Sequence, residues 1–192
     1  MGRFPDLPPN LPRRGNAVSK ALARGLLTLF GWRVDGHFPD RPKMIAIVAP
    51  HTSNWDFVVG ILVVFALGLG VRFLGKHTLF KPPLGWLLRW LGGTPVVRDT
   101  PQGAVGDAAE MIAREERVLL AIAPEGTRTR GTPWRSGFYN IALAAKVAIV
   151  PAAFDYGHKS LRLFPLFEPS GDYQADLAKL QALYRDVRGR KG

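Results

Sequence analysis

Three short apolar runs do most to limit what this chain can fold into: MIAIVA at 44–49, VLLAIA at 118–123 and VAIVPAAF at 147–154. None shows the apolar–polar alternation of a half-exposed strand, and each lies close to a proline or a polar turn. Runs of this kind read as strands buried on both faces. Longer segments with helical spacing separate them. One covers 56–70. Another covers 101–116, with Val105, Ala108 and Ile112 on its inner face. A third is GFYNIALAAK at 137–146, and a last one starts near Asp172 with Tyr173, Leu177, Leu180, Tyr184 and Val187 on one side. RFLGK at 72–76, TPVVRD at 94–99 and SLRLFPLFEP at 160–169 read as extended, and PPLGWLLRWLGG at 82–93 as a short helix. Strands alternating with helices predict an α/β fold: one domain with a mostly parallel or mixed β-sheet flanked by helices.

The start of the chain is different. Residues 1–15 read as irregular, and the domain proper as 16–192. Within it, 16–31 forms an amphipathic N-terminal helix. Val18, Leu22, Leu26 and Leu29 recur at helical spacing, Lys20, Arg24 and Thr28 mark the opposite stripe, and a Phe30–Trp32 pair closes the segment. Such a helix suits a membrane interface, and suits docking on a core equally well. The longest uncharged apolar run, 57–71, has fifteen residues. A spanning helix needs roughly 20, so this run reads as a buried core helix.

The formal net charge is +11, which points to an anionic partner. Nucleic acid is not expected, because no helix-turn-helix, RRM or zinc signature is present. The chain has no cysteine, which excludes disulfides, thiolate metal sites and a cysteine nucleophile.

In open α/β sheets, function gathers at the loops leaving the carboxyl ends of the strands. Two polar clusters leave buried strands in this way. PHTSNWD follows the first run, and its His51 and Asp56 can form a dyad. A neutral imidazole accepts a proton from a hydroxyl, and a carboxylate on its other nitrogen fixes the tautomer. Read alone, the pair is more readily a polar turn with a helix cap. No GxSxG elbow occurs, so an attacking hydroxyl would come with the substrate. PEGTR, 124–128, follows the second run. Its turn offers backbone N–H groups at Gly126, a hydroxyl at Thr127 and a guanidinium at Arg128 suited to phosphate. Glu125 is placed to hold an arginine. Lys76 and Arg98 follow other extended segments and can converge on the same rim.

Taken in order, the pattern resembles the glycerolipid acyltransferase family, the 1-acylglycerol-3-phosphate acyltransferases and their relatives, in a compact bacterial branch. The matching residues are His51 and Asp56, then Gly92 and Arg98, then Glu125, Gly126, Thr127 and Arg128, then Val150 and Pro151. The resemblance implies that His51, oriented by Asp56, is a general base. An acceptor hydroxyl attacks the thioester of acyl-CoA or acyl carrier protein, with no acyl-enzyme, no metal and no cofactor. Arg98 and Arg128, helped by Lys76, would hold the acceptor phosphate. Glu125, Gly126 and Thr127 would shape its pocket, and Val150 and Pro151 would line the acyl groove. The implied partners are a lysophospholipid and an anionic membrane surface. The implied place is the cytoplasmic face of the inner membrane, held peripherally.

Overall fold

The computed structural model of the chain describes residues 2–96, 101–127, 129 and 131–190. The order of elements is α1 (Ala17–Leu29), β1 (Arg33–Asp35), β2 (Lys43–Ala49), α2 (Asn54–Leu67), β3 (Arg72–Lys76), a 3-10 turn (His77–Phe80), α3 (Leu84–Trp90), β4 (Gly93–Val96), α4 (Pro101–Arg114), β5 (Val118–Ile122), α5 (Gly137–Ala145), β6 (Ala148–Asp155), β7 (Ser160–Leu163) and α6 (Tyr173–Ala182). The seven strands form one sheet in the order β1-β7-β6-β2-β5-β3-β4. Every pairing is parallel except that of β6 with β7. The single α/β domain with a mixed sheet expected from the sequence is therefore what the chain forms.

The three apolar runs become the central strands β2, β5 and β6. Alternate residues of β2 enter different cores. Met44 and Ala46 join Ala23, Leu27, Val59 and Val63 under α1 and α2. Ile45 and Ile47 join Ile112, Phe138, Ile141 and Leu180 under α4, α5 and α6. Burial on both faces is why these strands carry no polar alternation.

Three local readings change. Arg33–Asp35 is a strand that the sequence did not signal, since three residues give no pattern. The last helix ends at Ala182, and its inward face carries the buried Asp176 beside Leu180. That carboxylate accepts from the Tyr139 hydroxyl at 2.8 Å and from the Ser170 amide at 2.7 Å. Finally, α1 buries Ala23 and Leu27, whereas its bulky stripe of Val18, Leu22, Leu26 and Leu29 is exposed.

That exposure is part of a wider asymmetry. α1 packs along α2, and Trp90 of α3 stacks on Phe65 of α2, with ring centroids 5.9 Å apart. Among the described residues, every exposed large apolar side chain except Leu143 lies in or beside these three helices or the 3-10 turn. Trp86 is 68% exposed and Trp90 61%. No helix among the described residues is long and apolar enough to cross a membrane.

Candidate active site

The loop between β2 and α2 is built by helix capping. Ser53 is the N-cap of α2, and its side chain accepts from the Trp55 amide. Asp56, in the first turn, returns the favour by accepting from the Ser53 amide at 2.8 Å. Its Oδ2 also accepts from the Thr52 amide at 2.8 Å. A carboxylate here is favoured by the positive end of the helix dipole. His51 lies two residues before the cap, with its Nδ1 3.3 Å from Asp56 Oδ2. The cap and the pairing are compatible in one loop: the capping box holds the carboxylate that the imidazole meets.

Asp56 is fully buried, and its remaining oxygen, Oδ1, accepts from the Tyr156 hydroxyl at 2.7 Å. Burial alone would raise its pKa. The hydrogen bonds from His51, Tyr156 and the Ser53 amide outweigh that and hold it below the ordinary carboxylate value. The same environment acts oppositely on Tyr156, where burial and the neighbouring carboxylate push the phenol up, so it stays protonated and donates.

The loop after β5 closes the site from the other side. Glu125 does not hold an arginine among the described residues. Its Oε2 accepts from the backbone N–H of His51 at 2.8 Å. Glu125 is buried, and burial raises its pKa. Gly126 has φ +65, a left-handed conformation that favours glycine. Arg135 runs alongside it, so a Cβ at 126 would lie 3.5 Å from Arg135 Cδ. The Arg135 amide donates to Pro124 O at 2.9 Å.

These loops surround a cleft of about 1380 Å³. Its lining includes His51, Lys76, Gly126, Thr127 and Arg135 and the apolar Leu74, Val105, Ile122, Phe138 and Ile141. The structure therefore brings His51, Asp56, Lys76, Glu125, Gly126 and Thr127 to one place. Arg98 and Arg128 lie outside the described residues. Val150 and Pro151 do not line the cleft. Both are buried within β6, which is paired on both edges and covered on both faces. No group of three or more metal-ligating side chains stands among the described residues.

Two residues of the site escaped the sequence reading. Arg135 lies shortly after the PEGTR turn, and its charge was the available signal. Tyr156 is a hundred residues from Asp56 in sequence, and nothing local marks it.

Comparison with known proteins agrees with this geometry. A family model described as acyltransferase matches residues 33–155. This chain belongs to the acyltransferase family. The matched span includes the dyad and both loops, and stops one residue short of Tyr156. A 1-acyl-sn-glycerol-3-phosphate acyltransferase of Haemophilus influenzae is 27% identical over 161 residues, covering 79% of this chain and 65% of that protein. The Escherichia coli protein of the same name is 31% identical over 135 residues, covering 66% of this chain and 54% of that protein. The chain thus spans between about half and two thirds of these relatives. The crystal structure of the 1-acyl-sn-glycerophosphate acyltransferase PlsC from Thermotoga maritima aligns with a TM-score of 0.57 at 18% identity, covering 90% of this chain and 80% of that one. At that identity the likeness concerns the fold.

Proposed function

We propose that the protein is an O-acyltransferase that moves a fatty acyl group from acyl-CoA or acyl carrier protein to the free hydroxyl of lysophosphatidic acid, giving phosphatidic acid. The observation that carries this reading is the His51–Asp56 pair opening on a cleft lined by both polar and apolar side chains. The names of the relatives support the choice of substrate.

With Nδ1 turned to Asp56, His51 offers Nε2 as a base. It takes the proton of the acceptor hydroxyl as that oxygen attacks the thioester carbonyl carbon. The tetrahedral intermediate expels the thiolate, the C–S bond breaks, and the imidazolium returns its proton to sulfur. Asp56 stays ionised and stabilises the imidazolium. The acceptor phosphate is held by Lys76, Arg98 and Arg128, with Glu125, Gly126 and Thr127 shaping the loop beside it. The parts given to Arg98 and Arg128 rest on their sequence motifs. Leu74, Val105, Ile122, Phe138 and Ile141 take an acyl chain.

The protein works peripherally on the cytoplasmic face of the inner membrane. The exposed apolar side of α1, α2 and α3 and the excess of basic residues support this place. Each basic residue near an anionic surface adds about 1 kcal/mol.

Purified protein with labelled acyl donor and lysophosphatidic acid tests the reading. Transfer by the wild type, lost by several orders of magnitude in His51→Ala, is expected. Equal rates in the two would end the dyad assignment. Activity with another lysolipid and none with lysophosphatidic acid would move the reading to that acceptor.

A further inference from the structure

A second layer of residues, outside the span matched by the family, surrounds the dyad. Tyr156 is the first residue after β6, and its hydroxyl reaches Asp56 Oδ1 at 2.7 Å. Asp56 is wholly buried. Its Oδ2 is occupied by the Thr52 and Ser53 amides and faces His51 Nδ1. Tyr156 thus supplies the bond that keeps the far oxygen from turning, and without it a buried acceptor is left unpaired.

Tyr156 is itself braced. Trp32 packs edge-on against its ring, centroids 5.0 Å apart. Its amide donates to Arg188 O at 2.8 Å. The segment after α6 then passes behind the loop that bears His51. The Tyr184 hydroxyl donates to Ile47 O at 3.3 Å. Gly189 lies so close that a Cβ there would stand 3.1 Å from both Pro50 Cγ and Thr52 Oγ1. The Arg190 guanidinium sits 4.8 Å from the Trp55 ring centroid, and its charge acts on the Tyr156 phenol.

We infer that Tyr156, braced by the segment from Tyr184 to Arg190, is a positioning residue of the His51–Asp56 dyad. It touches neither substrate. It fixes the rotation of the Asp56 carboxylate, and through it the ring angle of His51. The kinetic part of this inference rests on the acyl-transfer reading; the geometric part does not.

The test uses the full chain with Tyr156→Phe, 3-fluorotyrosine placed at 156, and Arg190→Met. Two readouts are taken: steady-state kinetics and the 15N NMR signature of the His51 ring without substrate. Tyr156→Phe should lower kcat about tenfold or more, as expected for loss of one hydrogen bond that orients the pair. Both KM values should stay within about twofold, because uniform binding is untouched. The His51 Nδ1 signal should move or broaden. The fluorotyrosine, which keeps the donor, should restore both. A kcat within about twofold of wild type with an unchanged ring signal overturns the inference, and so does a raised KM at unchanged kcat. If the wild type transfers no acyl group, the functional reading fails by itself and the ring signal still decides. If Tyr156→Phe is unfolded at the assay temperature, Arg190→Met takes its place. A shifted ring signal there supports the bracing, and an unchanged one with unchanged kcat overturns it.

Discussion

The backbone N–H of His51 donates to Glu125 Oε2, which joins the loop after β2 to the loop after β5. The two motifs are thus mechanically one unit: the acid of the second sets the main-chain position of the histidine in the first. Glu125→Gln keeps an acceptor oxygen of the same reach, and should retain kcat within about fivefold. Glu125→Ala leaves a half-buried amide unpaired, and should lower kcat about a hundredfold through a displaced His51. Steady-state kinetics on the pair of variants reads the difference. Equal losses in both would mean that the Glu125 charge, and not its acceptance of the His51 amide, is what matters.

Asp56→Asn keeps the shape of the capping box and removes the charge that His51 faces. Loss of the charge removes stabilisation of the imidazolium, so kcat should fall by about 10²–10⁴, with little change in KM. Thermal unfolding of the same variant reports whether the cap survives. A kcat near wild type would show that His51 works without its carboxylate.

Buried carboxylates held below their ordinary value set the acid limit of the fold. Asp176 is held down to about 2 from 3.8: burial alone would raise it, but bonds from Ser170, Tyr139 and Lys179 outweigh that. Asp56 is also held low. A carboxyl whose pKa is lower folded than unfolded stabilises the fold above its unfolded value and ceases to do so as pH falls through the folded one. Stability should therefore drop between about pH 4 and pH 2. Asp176 accounts for about 2 kcal/mol of that. Denaturant melts of the wild type and Asp176→Asn across this range check it. The variant should be less stable at neutral pH and lose less on acidification. Parallel curves would assign the acid limit elsewhere.

Gly92 has φ +100, and a Cβ there would stand 2.1 Å from the Val71 carbonyl oxygen. Gly92→Ala should destabilise the fold by about 3 kcal/mol or more, since both the conformation and the space exclude a side chain. The midpoint of denaturant unfolding measures it.

Membrane attachment through α1, α2 and α3 is checked by sedimentation with vesicles containing anionic lipid. Leu22→Glu with Trp86→Glu should reduce the bound fraction at least tenfold, while transfer to a soluble short-chain acceptor stays unchanged. Undiminished binding would remove these helices from the interface.

Much of this was legible in the chain and some was not. The strands β2, β5 and β6 announced themselves because burial on both faces leaves uninterrupted apolar runs. His51 and Asp56 could be paired because only five residues carry the chain from the end of a strand into the first turn of a helix. Tyr156 and the segment behind the His51 loop could not be found, because their contacts with that loop and the strand before it join positions a hundred or more residues apart with no local pattern. The orientation of α1 was also hidden. Periodicity marks an apolar stripe and does not say whether protein or something else covers it; here Ala23 and Leu27 meet the core and the larger side chains do not. Val150 and Pro151 show the converse: a motif that reads as groove lining is sheet interior.

The crowding of exposed apolar side chains on one helix layer bears on how an acceptor travels. α2 belongs to that layer, and His51 stands just before its first turn. In the proposed membrane-bound state, His51 stands beside the exposed Trp55, Phe57 and Val58 of that layer. A lysolipid then reaches it by sliding sideways within its own leaflet. Lifting the chain into water would cost about 0.8 kcal/mol per methylene, on the order of 10 kcal/mol for a long chain. Under the proposed function the encounter would be a search in two dimensions, with a rate set by the surface density of lysolipid instead of its concentration in solution.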